Sequence, residues 1–110
     1  MESIEVISCQ LIAASGTAKS NYIEAIEYGK KGDFEKAEEL IKEGDKIYLQ
    51  GHESHAKLIQ LSANEQIDIP LLLIHAEDQM MNCETMKIFA VETLYLLKEN
   101  KKLMSMVGGC

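Results

Sequence analysis

The chain has 110 residues, a length that allows one domain with a modest core and excludes two. Hydrophobic residues make up 46% of it but aromatic residues only 5%, with no Trp, and this composition suits helices better than a β-sandwich. The net charge of −7 argues against nucleic acid as a partner, because phosphate binding needs a basic stripe, and an acidic surface favours a basic protein partner.

The cysteines and the first residues indicate the compartment. Cys9, Cys83 and Cys110 are an odd number, without a Cys-x-x-Cys pair, and fit a reducing cytosol. The N-terminus lacks the basic start and apolar block of a signal peptide, and no apolar run approaches the roughly 20 residues needed to cross a bilayer. We therefore expect a cytoplasmic protein that does not insert into the membrane.

Periodicity predicts a first long amphipathic helix that ends at about Lys31. Its inward positions are Ile4, Ile7, Leu11, Ala14, Ala18, Ala25 and Tyr28. Gly16 lies in the middle of this helix at a cost of about 1 kcal/mol relative to Ala, which suggests either the close approach of a neighbouring helix or a bend. Gly32 and Asp33 follow as a C-terminal glycine and a new N-cap, and they predict a tight turn between two helices.

A second helix is expected from Asp33 to about Ala63, with alternating steps of three and four along its packing face. These positions are Phe34, Ala37, Ile41, Gly44, Tyr48, Gly51, His55 and Leu58. Residues 64–69 form a more polar connection, and Pro70 suits the first turn of a third helix that runs to about Asn100. We place the domain at residues 1–102 and expect a disordered tail at residues 103–110.

The third helix is apolar on more than one side. At about 100° per residue, one face contains His75, Asp78, Asn82, Met86, Phe89 and Thr93. The other contains Leu73, Met80, Ile88, Val91 and Tyr95. Because a bundle of three helices covers only one side of each, the sequence predicts an oligomer in which this helix faces its symmetry mates.

His75 and Asp78 lie one helical turn apart in an apolar stretch and are the strongest candidates for a functional site. Neutral imidazole, with an unperturbed pKa of about 6.5, can attack a phosphoryl group without a separate base. The chain has no ATP-binding loop, so the phosphoryl donor would be another phosphoprotein. The alternative is a core histidine whose ring is hydrogen-bonded to Asp78 or to a backbone carbonyl.

Two further histidines, His52 and His55, are three residues apart in the second helix. Together with His75 they could be metal ligands, but zinc sites generally need four well-placed ligands. His55 lies on the packing face, where a histidine with a satisfied hydrogen bond is commoner. We expect His52 and His55 to contact residues of the functional site without taking part in its chemistry, or to lie at an interface.

Four motifs together resemble the lactose/cellobiose-type enzyme IIA of the bacterial sugar phosphotransferase system. The similarity extends from about Ile4 to Asn100, with the motifs in the family's order and spacing. The motifs are Ser-Gly-Thr-Ala-Lys-Ser at 15–20, Gly-Asp-Phe-Glu-Lys-Ala at 32–37, Leu-Ile-Gln at 58–60 and Leu-Ile-His-Ala-Glu-Asp-Gln-Met-Met at 73–81.

The resemblance implies an all-α, antiparallel three-helix bundle that assembles into a cytoplasmic homotrimer. The family's phosphorylated histidine falls on His75, which would accept a phosphoryl group from the histidine phosphocarrier protein and pass it to a cysteine of enzyme IIB. The family's metal-binding aspartate falls on Asp78, three copies of which would meet on the trimer axis.

The cation at the axis would be divalent, and magnesium suits oxygen ligands. Glu77 and Gln79 are expected neighbours of the phosphoryl site where this chain departs from the family, which commonly has Gln and His there. Glu77 could equally be a solvated residue. The competing interpretation of the whole chain is a non-catalytic, oligomeric helical adaptor with a structural metal.

Overall fold

The computed structural model describes the backbone of residues 3–64 and 70–108 and the side chains of residues 3–60 and 70–108. Three long helices, α1 (Ile4–Lys30), α2 (Phe34–Asn64) and α3 (Leu71–Met106), form these parts of the chain, which contain no strand. None of the described helices is long and apolar enough to span a membrane. The predicted all-α three-helix fold is confirmed.

The helices alternate in direction, so α1 and α3 run parallel and α2 runs against both. At one end of the bundle Ile7 of α1 packs with Leu58 of α2 and Leu73 of α3. At the other end the buried residues of all three helices are Ala25, Ala37, Leu40 and Leu94. The core is therefore a column of small clusters, and His75 lies near the end at which α3 begins.

The turn between α1 and α2 forms as its sequence predicts. Gly32 has a φ of 85°, a left-handed conformation that only glycine adopts without strain. The Asp33 side chain accepts a hydrogen bond from the Lys36 backbone N–H at 3.2 Å and caps the start of α2. A second cap, which the sequence analysis did not predict, is Ser3, whose hydroxyl accepts from the Val6 N–H at 3.2 Å.

Every predicted inward position of α1 and α2 is buried or half-buried, but the glycine that permits close packing is not Gly16. A Cβ added at Gly16 would have nothing within 4 Å, so the close approach of a helix, one of the two explanations for this glycine, does not occur within the described part of the protomer. At Gly44 an added Cβ would lie 2.8 Å from Cε1 of Tyr22, and at Gly51 3.2 Å from the Cβ of Ala14. Close contact between α1 and α2 occurs at these two glycines.

The outer edge of the contact between α2 and α3 consists of four polar bridges, which we call the α2–α3 ladder. The bridges are Glu38–Lys98, Asp45–Lys87, Tyr48–Glu84 and His55–Glu77. The order of the partners is reversed between the two helices, as antiparallel packing requires. The Asp45 carboxylate also accepts a hydrogen bond from the Tyr22 hydroxyl at 2.7 Å, which joins α1 to the ladder.

The start and the end of α3 differ from the prediction. Pro70 is the N-cap residue, one position before the helix, and residues 65–69 of the predicted connection lie outside the described residues. The helix continues to Met106, so the prediction of a disordered tail is wrong for residues 103–106. Lys, Leu and Met favour helices, and no Gly or Pro interrupts the chain before Gly108. Residues 109–110 are not among those described.

Candidate functional site

His75 lies in the second turn of α3 with its side chain exposed to solvent. Its imidazole has no hydrogen bond to any described residue, whereas a core histidine would need one. The interpretation of His75 as a packed, satisfied core residue is therefore wrong. The exposed ring is open to an approaching protein and keeps both nitrogen atoms free for chemistry.

Asp78 is also exposed and lies within an apolar stripe on the outer side of α3. The stripe alternates steps of three and four and consists of Leu71, Ile74, Asp78, Met81, Thr85 and Ile88. Leu71 is 80% exposed and Ile88 64% exposed, which is unusual for large aliphatic side chains arranged in a row. A carboxylate thus lies among apolar neighbours on a surface suited to helix packing.

The prediction that α3 is apolar on two sides is confirmed, although the two sides are composed differently from those predicted. Leu73 and Met80 belong to the buried side, whose remaining members are Ala76, Cys83, Ala90 and Leu94. Ile88, Val91 and Tyr95, predicted to share a face with Leu73 and Met80, are exposed. The buried positions of α3 repeat every seven residues, so the buried stripe drifts around the helix by about 20° per heptad relative to the period of 3.6 and leaves Ile88, Val91 and Tyr95 outside it.

Glu77 and Gln79, the two expected neighbours of His75, point in different directions. Gln79 follows His75 by one helical turn, on nearly the same side, and is half-buried. Glu77 lies about 200° around the helix from His75, on the opposite side. Its carboxylate oxygen Oε1 is 2.9 Å from Nε2 of His55, so the structure does not bring Glu77 to His75 within the protomer.

The three histidines do not converge on a metal. The His55 side chain is 18% exposed and pairs with Glu77, and the His52 ring lies 6.3 Å from the Tyr48 ring. Within the described residues, no group of three His, Cys, Asp or Glu side chains could hold a metal ion. The described residues of one protomer therefore supply at most part of a metal site, to which Asp78 could contribute one ligand.

The cysteines of the described residues have contrasting environments. Cys83 is fully buried against α1 and α2, and burial, followed by the nearby Glu84 carboxylate, raises the pKa of its thiol to about 11. It therefore stays protonated at neutral pH and is a poor nucleophile. Cys9 is exposed on α1. His75 is consequently a better candidate than Cys83 for a covalent phosphoryl acceptor.

The motif at residues 15–20 lies on α1, where its residues divide between core and surface. Ser15 and Ala18 are buried, and Gly16, Thr17 and Ser20 are exposed. The Ser15 hydroxyl has no hydrogen-bond partner among the described residues, and the charge of Lys19 acts on the Cys83 thiol across the contact between α1 and α3. The partners of Tyr22, Tyr48 and His55 were not predictable from the sequence, because each pairs with a residue more than 20 positions away.

The chain is thus an up-down-up three-helix bundle with an exposed histidine on its third helix and an aspartate one turn later. A profile of the family described as "PTS system, Lactose/Cellobiose specific IIA subunit" matches residues 6–98. The chain belongs to this lactose/cellobiose IIA family of the phosphotransferase system, as its motifs predicted.

Relatives and solved structures agree with this assignment. The chain is 33% identical over 99 residues to the lichenan-specific phosphotransferase enzyme IIA component of Bacillus subtilis, covering 89% of this chain and 90% of that protein. It resembles the cellobiose-specific enzyme IIA of Bacillus anthracis with a TM-score of 0.86 and 35% identity, covering 93% of this chain and 95% of the other. It also resembles the matched chain in solution structures of a IIA(chitobiose)–HPr complex, with a TM-score of 0.81 and 25% identity, covering 92% of this chain and 99% of the other.

Proposed function

We propose that this chain is the IIA phosphocarrier of a sugar phosphotransferase system and that His75 accepts the phosphoryl group. The observation that supports this most directly is the exposed, unpartnered imidazole of His75 in a chain of this family. The donor is the histidine phosphocarrier protein, HPr, with which a relative of similar fold forms a complex. The acceptor is a cysteine of enzyme IIB.

The chemistry is the transfer of one phosphoryl group from the donor protein to His75 and from His75 to the acceptor protein. A neutral nitrogen of His75 attacks the donor's phosphorus, the donor's P–N bond breaks, and the donor imidazole leaves with the bonding electrons. In the second step a cysteine thiolate attacks the same phosphorus, a P–S bond forms, and His75 leaves as imidazole. Positioning supplies most of the rate enhancement in such transfers, because the protein makes no other covalent bond.

We further propose that the active form is a homotrimer packed through the outer stripe of α3. Large aliphatic side chains at three-and-four spacing are the pattern of a helix that packs against parallel copies of itself. Ile74, Met81 and Ile88 are each more than half exposed in the protomer. Their burial in an assembly would remove a surface that is unfavourable in water.

In such a trimer three Asp78 carboxylates would meet near the axis, and like charges that close require protonation or a cation. Asp78 is exposed and unpartnered among the described residues, and carboxylate oxygens suit a hard divalent cation such as magnesium. The cation would neutralise the three charges and stabilise the assembly. His75 does not need it to act as a nucleophile.

Mass spectrometry after incubation with phosphoenolpyruvate, enzyme I and HPr tests the phosphocarrier function. We expect an acid-labile gain of about 80 Da, the mass of one phosphoryl group, that His75→Ala abolishes. The variant Gln79→Ala, which keeps the imidazole, should still gain this mass. An absence of modification with a donor that phosphorylates a known IIA protein would favour the non-catalytic adaptor.

Sedimentation of the wild type and of Asp78→Leu, each with magnesium and with chelator, tests the assembly and its cation. We expect a trimer for the wild type, with chelator lowering its stability, and a trimer insensitive to chelator for Asp78→Leu. A wild-type protein that sediments as a monomer under all these conditions would refute the axial site. We also propose a cytoplasmic location, which membership of this family implies.

A further inference from the structure

The bridges of the α2–α3 ladder are unevenly spaced with respect to His75. Three of them attach to α3 at Glu84 or beyond, and only the His55–Glu77 bridge lies in the turns that contain His75. The next bridge is seven residues away, about 10 Å along the helix axis. The start of α3 therefore has a single directional contact with α2 among the described residues.

The apolar contacts at the start of α3 involve few side chains of this helix, and one of them is small and another flexible. The buried residues there are Leu73, Ala76 and Met80. Ala76 has only a methyl group, and Met80 has a flexible side chain that adapts to small displacements at little cost. These residues hold α3 against α1 and α2, and Met80 can adapt to a small displacement of the helix.

The His55–Glu77 hydrogen bond is a stricter restraint because its energy falls steeply with distance and angle. The His55 side chain is 18% exposed, so its ring is packed and has little freedom to follow a moving partner. Glu77 lies on the side of α3 opposite to His75. A restraint at Glu77 consequently fixes the direction in which the His75 ring projects.

We infer that His55 and Glu77 are positioning residues for phosphoryl transfer: their bridge sets the rotation of the first turns of α3 and so aims the His75 imidazole. This inference rests on the proposed phosphocarrier function. It gives Glu77 a role through His55 and not through direct contact with the phosphoryl group.

A small rotation is enough to affect transfer. Side-chain atoms about 6 Å from a helix axis move by about 1 Å for a rotation of 10°. A misplacement of about 1 Å can slow an in-line transfer by up to a hundredfold. We therefore expect a loss of about tenfold in rate when the bridge is broken and α3 samples a range of rotations around its native one.

The experiment measures single-turnover phosphoryl transfer from phosphorylated HPr to the full-length chain, over a range of donor concentrations. The variants that break the bridge are His55→Ala and Glu77→Ala. His55→Gln retains a hydrogen-bond donor toward Glu77 and serves as the rescue. Tyr48→Phe is the matched control, because it removes the neighbouring ladder bridge to Glu84 while keeping the packed ring.

We expect both alanine variants to lower the maximal transfer rate about tenfold. The donor concentration that gives half of the maximal rate should change by less than about twofold. His55→Gln and Tyr48→Phe should stay within about twofold of the wild type. The ¹⁵N spectrum of His75 should change in the two alanine variants only, which a general loss of stability would not produce. Urea unfolding of each variant shows that the comparison is made between folded proteins.

The inference is overturned if His55→Ala and Glu77→Ala slow transfer no more than Tyr48→Phe does, or if His55→Gln is as slow as His55→Ala. These failures are distinct from a failure of the phosphocarrier function itself. In that case the wild type would also remain unphosphorylated, as His75→Ala does.

Discussion

Two helical glycines, Gly16 and Gly44, should respond in opposite ways to replacement by alanine. Alanine favours a helix over glycine by about 1 kcal/mol, and this gain applies at both positions. At Gly16 the new methyl group meets nothing within 4 Å, so Gly16→Ala should stabilise the protomer by about that amount.

At Gly44 the same methyl group would lie 2.8 Å from Cε1 of Tyr22 and 3.3 Å from the Cβ of Asn21. The Tyr22 ring is 1% exposed, and its hydroxyl is hydrogen-bonded to Asp45 at 2.7 Å, so the ring cannot swing away. Overpacking of this kind costs about 1–3 kcal/mol. Gly44→Ala should therefore be less stable than Gly16→Ala by about 2 kcal/mol, the helix-propensity gain cancelling in the comparison.

Urea unfolding followed by circular dichroism measures this difference, with both variants and the wild type at one protein concentration because assembly affects the midpoint. We expect a higher midpoint for Gly16→Ala and a lower one for Gly44→Ala than for the wild type. Midpoints that rise equally in both variants would refute the argument that the contact between α1 and α2 is closest at Gly44.

Other consequences concern the helix cap and the cysteines. Asp33→Ala should lower the free energy of unfolding by about 1 kcal/mol in urea titrations, while Asp33→Asn should lose far less, because it still caps α2. Iodoacetamide at pH 8 should alkylate Cys9 in the folded protein and Cys83 only after unfolding, as peptide mapping would show; rapid labelling of Cys83 in the native state would contradict its burial. Because the pKa of the Cys83 thiol rises from 9.0 to about 11 on folding, its contribution to stability is complete below pH 9 and is lost between pH 9 and about 11. Cys83→Ala should therefore make the alkaline loss of stability smaller, and an unchanged pH profile would argue against this contribution.

The local structure of this protein was predictable to a large extent. Helical periodicity identified the inward faces of α1 and α2, and Gly32 with Asp33 identified the turn between them, because these signals depend on residues a few positions apart. His75 and the family were likewise predictable, since motifs in a fixed order identify a family without knowledge of contacts.

Predictions failed where the outcome depended on which residues meet across helices. Nothing near Gly16 or Gly44 in the sequence indicates which of them faces a neighbouring ring, and nothing near Glu77 indicates that His55 would be its partner. The extension of α3 to Met106 has a different reason: residues 103–106 consist mainly of good helix formers, whose intrinsic propensity continues the helix beyond the predicted end.

Three helices, the turn between the first two and the histidine proposed to receive a phosphoryl group were thus predictable without a structure, because period, caps and motifs are local or ordered along the chain. The packed bundle was needed to establish that His75 is exposed, that Glu77 lies on the opposite side of α3 in contact with His55, and which apolar side chains of α3 stay uncovered. Packing decides these features, because the rotation of each helix in the bundle is fixed by contacts between residues distant in sequence.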